Sequence, residues 1–148
     1  MFSETYIKMC EKAEEIQKVW HPKRGDFTYW KANIENPKLV LIYDIRDELL
    51  CTISFNEGTY HTLTKEKLIW LPRQGQLQDM LDEDYFYHAF ILNEPNNILQ
   101  SIYSDDGIHG SFESGEEYWL AFIMYKLYNK QWDADKQQWV RMEGNNEA

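Results

Sequence analysis

The length and composition of this chain are those of a folded, acidic protein. Its 148 residues are 43% hydrophobic and include 6 Trp, 10 Tyr and 7 Phe, more rings than a disordered chain carries. A chain of this size buries about 70% of the surface that its unfolded form exposes, so a core can form without disulfides or metals. The net charge of −10 argues against direct nucleic-acid binding, whose affinity depends on neutralising phosphates.

The N-terminal segment lacks the features of a secretory signal. Charged residues interrupt the first twenty positions, so no apolar signal-peptide core is present. The longest apolar run, Tyr118 to Tyr125, is too short to cross a membrane. Without a secretory signal, Cys10 and Cys51 are expected to be reduced thiols. We therefore expect a cytoplasmic protein with no membrane contact.

The first twenty residues predict one amphipathic helix. Ser3 suits the N-cap position, and His21-Pro22 ends the helix because the residue before a proline resists the α conformation. Apolar residues recur with helical spacing at Met9, Ala13, Ile16 and Trp20.

Residues 26–70 predict an antiparallel sheet. Segments rich in β-favouring residues occur at 26–30, 39–45, 50–55, 59–63 and 67–70. In the third segment, Cys51, Ile53 and Phe55 alternate with Thr52 and Ser54, which predicts one buried and one wet face. Asn56 to Gly58 predicts a three-residue hairpin loop.

The second half of the chain predicts helices and a terminal hairpin. Pro72 to Leu81 has helical spacing with Pro72 in the first position. Residues 94–97 predict a turn, and 85–103 stay open between helix and strand, with helix favoured for 85–92. Ser114 and Glu117 predict a capping box before an apolar, central helix. A short hairpin follows between Trp132 and Trp139.

These elements together predict a single α+β domain over residues 1–148. It contains an antiparallel sheet of about four to five strands with three to four helices packed on it. No repeat or flexible linker divides the chain, and the tail 143–148 is expected to fray.

Charge is distributed unevenly along the chain. Residues 1–40 carry +1, residues 41–81 carry −2 and residues 82–148 carry −9, with no Lys or Arg between Asp82 and Glu117. Such a segment repels itself, and a basic partner protein would relieve that repulsion. The alternatives are a solvated loop face or a DNA-mimicking patch. The candidate contact residues are Asp82, Glu83, Asp84, Asp105, Asp106, Glu113 and Glu116.

No catalytic, cofactor or metal motif occurs in the sequence. There is no HExxH, CxxC, G-x-S-x-G or phosphate-binding loop, so no catalytic residue, cofactor or metal ligand is assigned and an enzyme is disfavoured. The alternative function is a small-ligand-binding or hydrolytic protein with a cleft lined by aromatic rings and histidines. Its candidate residues are Trp30, His88, His109 and Trp132.

Two segments carry a resemblance to a group of known proteins. They run from Trp70 to Leu81 (WLPRQGQLQDML) and from Tyr118 to Asp133 (YWLAFIMYKLYNKQWD). Together they resemble small uncharacterised proteins encoded by phages and prophages of low-GC Gram-positive bacteria, whose pattern pairs W-L-P-x-Q-x-Q-L-Q-x-M with a C-terminal W-L-A-F-x-M helix. This sequence departs at Gly75, where the pattern has an acidic residue, and Gln137-Gln138 lengthens the last hairpin. The resemblance implies a phage origin and an α+β fold, and it implies no reaction.

Overall fold

The computed structural model describes residues 2–31, 38–81, 94–102 and 112–142. They belong to two compact units. Met1–Ala13 and Arg73–Ala148 form one, called the helical unit, and Glu14–Pro72 forms the other, called the sheet unit. The predicted α+β class is confirmed, while the frayed tail 143–148 lies outside the described residues.

The described elements follow one another in this order: α1 (Glu4–Lys12), α2 (Glu14–Val19), β1 (Phe27–Trp30), β2 (Lys38–Arg46), β3 (Leu49–Ser54), β4 (Tyr60–Leu63), a 3₁₀ helix (Lys65–Lys67), β5 (Leu68–Trp70), α3 (Gln74–Gln78), α4 (Glu94–Ile102), α5 (Gly115–Tyr128), β6 (Lys130–Asp133) and β7 (Gln138–Arg141). The part of the chain that is described therefore holds five α-helices, more than the three to four predicted.

The sheet unit is built on a five-stranded antiparallel sheet in the order β4-β3-β2-β1-β5. All five strands begin and end within one residue of their predicted bounds. The rings of Trp30 in β1 and His61 in β4 lie 4.7 Å apart. In a flat sheet these strands would be about 14 Å apart, three times the spacing of neighbouring strands. The sheet therefore curls strongly, with Trp30 and His61 on its concave face.

The buried face of β3 is the reverse of what its apolar pattern suggests. Leu50, Thr52 and Ser54 are buried, whereas Phe55, just beyond the strand, is 43% exposed. The two polar side chains tolerate burial because both are hydrogen-bonded. Thr52 Oγ1 donates to the His61 carbonyl at 2.9 Å, and Ser54 Oγ accepts from the Glu57 amide at 3.2 Å.

The β3–β4 loop has the predicted hairpin form. Gly58 adopts a φ of +66°, the left-handed conformation that glycine reaches without strain. Its amide donates to the Ser54 carbonyl at 3.0 Å, and the Ser54 amide donates to the Thr59 carbonyl at 2.8 Å. These two bonds fix the register in which β4 follows β3.

The single N-terminal helix predicted from the sequence is instead two helices. Ser3 caps α1 as predicted, because its Oγ accepts from the Tyr6 amide at 3.0 Å. At Ala13 the backbone leaves the helical region with a ψ of 74°, and its amide bonds to the Cys10 carbonyl three residues back. The apolar spacing is still correct, since Met9 and Ala13 are fully buried in the helical unit.

The helical unit is organised around α5, as its apolar sequence predicts. Residues 119–124 of this helix are all buried, and α5 packs against α1, α3, α4 and β6. Ser114 caps it through a 3.2 Å bond from the Glu117 amide. The second half of the predicted capping box is wrong: the Glu117 carboxylate accepts from the Ser3 hydroxyl at 2.7 Å and the Glu113 amide at 3.4 Å.

Two further expectations for the helical unit need correction. Helix α3 begins at Gln74 and not at Pro72, because Arg73 takes the N-cap position and its amide donates to the Gln76 side chain at 2.9 Å. The turn predicted for residues 94–97 is the first turn of α4. Pro95 fits there because the first turn of a helix leaves its amides unbonded. The predicted hairpin is present as β6 and β7.

Candidate functional site

The structure places only part of the predicted acidic surface. Asp82, Glu83, Asp84, Asp105 and Asp106 lie outside the described residues. Glu113 is exposed just before α5, and Glu116 is half-buried in its first turn. Glu117, the last acid of the predicted segment, is 1% exposed and hydrogen-bonded, so it does not belong to a docking surface.

The charge asymmetry of the sequence coincides with the two units. The helical unit carries a formal charge of −9 and the sheet unit −1, counted over their full residue ranges. Two acids of the sheet unit form ion pairs, in Arg24–Asp44 at 3.0 Å, Arg46–Asp44 at 3.3 Å and Lys38–Glu57 at 2.8 Å. Among the described residues, no acid of the helical unit lies within 4.0 Å of a basic nitrogen.

The residues predicted for an aromatic and histidine-lined cleft do not form one described site. His88 and His109 lie outside the described residues. Trp30 belongs to the sheet unit and Trp132 to the helical unit. Trp132 is 8% exposed and packs on Trp139, with ring centroids 5.2 Å apart. Trp139 is also buried, and its indole donates to the Met9 carbonyl at 2.9 Å, so both rings of this hairpin belong to the core of the helical unit.

Trp30 does lie against a histidine, but a different one from those predicted. Its ring contacts His61 on the concave face of the sheet. Within the described part of the chain, Trp30 Nε1 and His61 Nε2 are buried atoms that have no hydrogen-bond partner. Sequence reasoning missed this pair because the two residues are distant along the chain and meet only where the sheet curls.

A cavity among the described residues lies at one end of the sheet unit, and we call it the end pocket. It has a volume of about 440 Å³ and is half-open to solvent. The β2–β3 turn, the loop after α2 and the 3₁₀ helix contribute its walls. Its lining residues are His21, Pro22, Ile45, Asp47, Glu48, Leu50, Thr64, Lys65 and Glu66.

The charged groups of the end pocket favour a positively charged ligand. Asp47, Glu48 and Glu66 contribute three carboxylates and are all exposed. Lys65 contributes the opposing charge, but its Nζ is held by the Trp20 carbonyl at 2.7 Å and lies 5.7 Å from the centroid of the Trp20 ring. The net charge of the residues that line the pocket is therefore negative. The Lys65 ammonium group already has a partner in the Trp20 carbonyl.

The end pocket does not display catalytic geometry. In the described residues, His21 forms no hydrogen bond to a carboxylate, which a general base oriented by an acid requires. Nor do the described His, Cys, Asp and Glu residues assemble three or more metal-ligating groups. The arrangement can bind a cation through charge and hydrogen bonds.

A second group of ionisable side chains is buried in the helical unit. Tyr6 and Cys10 are both fully buried in α1. Burial raises the pKa of Tyr6 well above its ordinary value, and the neighbouring Cys10 and the acids Glu116 and Glu117 raise it further. Burial likewise raises the pKa of the Cys10 thiol. Both groups therefore stay neutral, and Cys10 is unsuited to act as a nucleophile.

Comparison with protein-family models, curated proteins and solved structures gives no match to this chain. Across the described ranges, no helix combines the length and the apolar character needed to cross a membrane.

Proposed function

We propose that this chain is a phage- or prophage-encoded cytoplasmic protein that acts by binding and not by catalysis. Its partner is a basic host or phage protein, which contacts the acidic surface of the helical unit. The observation that carries the proposal is the separation of charge between the units, −9 against −1. The phage origin rests on the resemblance of residues 70–81 and 118–133 to phage and prophage proteins.

Unpaired surface acids are suited to fast, salt-dependent association. Glu113 is exposed and has no basic partner among the described residues, whereas Asp44 and Glu57 of the sheet unit each form an ion pair. A basic surface that approaches Glu113 therefore meets a charge that no ion pair among the described residues cancels. Such attraction weakens as salt rises, because the Debye length is about 10 Å at 0.1 M.

The test is binding of a fluorescent lysine decapeptide, followed by anisotropy at 20 mM and 300 mM salt. We expect clear binding at low salt that falls at high salt. Glu113→Lys should weaken it about threefold, since each exposed charge contributes up to about 1 kcal/mol. Glu14→Lys is the matched control, because Glu14 is an exposed acid at the start of a helix in the sheet unit. Equal losses in both variants, or binding that salt does not change, would contradict the proposal.

A second candidate function is the binding of a small cationic ligand in the end pocket. Three carboxylates around a half-open cavity of about 440 Å³ favour it. The probe is agmatine, titrated by calorimetry into the wild type and the Glu48→Gln/Glu66→Gln variant. We expect the variant to bind agmatine several-fold more weakly, while Glu14→Gln binds as the wild type does. Equal affinities in all three proteins would contradict this candidate.

A further inference from the structure

The two edges of the five-stranded sheet differ in whether their outward main-chain groups are hydrogen-bonded. At the β5 edge, the side chain of Gln17 from α2 pairs with the main chain of Trp70 as a neighbouring strand would. Its Nε2 donates to the Trp70 carbonyl at 3.0 Å, and its Oε1 accepts from the Trp70 amide at 2.9 Å. The β5 edge is thus closed by a side chain of the same unit.

At the β4 edge, no described residue pairs with the outward main-chain groups, and we call it the open edge. The bond from the Ser54 amide to the Thr59 carbonyl sets an alternation in which His61 and Leu63 turn their main-chain groups towards β3. The main-chain groups of Tyr60 and Thr62 therefore point away from the sheet. Both residues are exposed, and neither has a hydrogen-bond partner among the described residues.

The β4 edge is short, with four residues, but it lacks the other features that usually prevent strand addition. Its sequence, Tyr60 to Leu63, contains no proline, lysine or acidic residue, and its partner pairing with β3 shows no bulge. Tyr60 is 66% exposed and packs edge-on against Tyr43, with centroids 5.6 Å apart. These rings lie on the convex face, where they would contact alternate side chains of an added strand.

The open edge leads directly to the end pocket. Leu63, the last residue of β4, pairs with Leu50, and both Leu50 and the next residue, Thr64, line that pocket. A strand laid along β4 therefore ends near this pocket, whose lining includes Glu48 and Glu66. The negative lining makes a basic side chain the complementary group at that end.

We propose that the sheet unit binds an extended peptide segment of a partner protein, which adds to the β4 edge as a sixth strand and places a lysine or arginine in the end pocket. Tyr60 and Thr62 offer two amides and two carbonyls to such a segment. A second copy of this chain fits less well, because four edge residues bury much less than the roughly 1,200 Å² of a stable dimer. A peptide needs only the edge and the pocket.

The probe is a synthetic hexapeptide that alternates valine and threonine and ends in lysine. Its binding to the ¹⁵N-labelled full chain is followed by amide chemical shifts, which should move at residues 60–63. Thr62→Pro removes the outward amide without breaking a bond to β3, and it should weaken binding about tenfold. Thr62→Val is the matched control, which keeps the amide and should bind within about twofold of the wild type. Circular dichroism verifies that both variants are folded.

The pocket half of the proposal has its own variants. Glu48→Gln/Glu66→Gln should weaken the lysine peptide about threefold to tenfold and leave a norleucine counterpart unchanged. The inference shares the end pocket with the second candidate function, yet the two are separable, since Thr62→Pro should leave agmatine binding intact. If Thr62→Pro binds the peptide as tightly as Thr62→Val does, the proposal is overturned. Sedimentation that shows a wild-type dimer and a Thr62→Pro monomer would overturn it as well, because a second copy would then occupy the edge.

Discussion

The helical unit and the sheet unit differ in the ion pairing of their surface charges and in the burial of their polar side chains. In the sheet unit, some surface charges form ion pairs, as in the Arg24–Asp44–Arg46 group. In the helical unit, the described surface acids are unpaired, while Tyr6, Cys10 and Glu117 are buried in the helix packing. A net charge of −10 is therefore not a property of the whole molecule, because one unit carries nearly all of it. Function should follow the same division, with charge-driven association in one unit and strand or ligand binding in the other.

The largest expected contrast between the units is in thiol reactivity. Each unit has one free cysteine: Cys10 is fully buried in the helical unit and Cys51 is half-buried in β3. Burial raises the pKa of Cys10, so its reactive thiolate is rare and forms only when the unit opens. Ellman's reagent at pH 8 should modify Cys51 about a thousandfold faster than Cys10. Cys51→Ser should remove the fast phase, and a fast phase that survives in this variant would break the comparison.

The next contrast concerns the buried carboxylate of each unit. Asp26 accepts from Trp20 Nε1 and from the Lys23 amide, both at 2.9 Å. Asp26→Ala leaves both donors without an acceptor and should lower the free energy of unfolding by about 3 kcal/mol. Glu117→Ala should lower the free energy of unfolding by less, about 1–2 kcal/mol. One hydrogen bond of the Glu117 carboxylate is 3.4 Å long, and the Ser3 hydroxyl can rotate to another acceptor. Urea unfolding measures both, and Asp26→Asn, which keeps an acceptor oxygen, is the control. A larger loss for Glu117→Ala would reverse the comparison.

A smaller effect tests how the sheet unit closes its β5 edge. Gln17→Met keeps the length of the side chain but removes both hydrogen-bonding groups that pair with Trp70. The free energy of unfolding should fall by about 1–2 kcal/mol, since two hydrogen bonds are lost. Lys18→Met, an exposed neighbour on the same helix, should change it by less than about 0.5 kcal/mol. Equal stability of Gln17→Met and the wild type would show that the side-chain pairing contributes nothing.

The smallest effect is the pH dependence of the paired surface charge in the sheet unit. The Ile45 amide, and then Arg46 and Arg24, hold the pKa of Asp44 below its ordinary value of 3.8. Stabilisation by ionised Asp44 is therefore fully present above pH 3.8 and is lost as the pH falls through the lowered pKa. The wild type should be slightly more stable than Asp44→Asn at pH 6, and the difference should vanish near pH 2. Thermal unfolding across this range measures it, with Asp47→Asn as the control; a difference that grows towards low pH would contradict the assignment.

Local sequence signals predicted the local structure well. The five strands, the Gly58 hairpin and the caps at Ser3 and Ser114 depend on neighbouring residues, so residue preferences suffice to find them. The candidate site was harder to predict from the sequence. The Trp30–His61 pair and the end pocket combine residues far apart in the chain, and no spacing rule connects them.

The sequence by itself determined that this chain folds as an α+β protein, that its net negative charge is concentrated after residue 81, and where its strands begin and end. Only the tertiary structure decided that α1 and α2 belong to different units and that Thr52 and Ser54 of β3 are buried. It also decided that Gln17 pairs with one sheet edge, whereas no described residue pairs with the other. The reason is physical. Conformational preference and charge are properties of neighbouring residues, whereas burial and hydrogen-bond satisfaction depend on which distant groups meet, as Gln17 meets Trp70 and Ser3 meets Glu117.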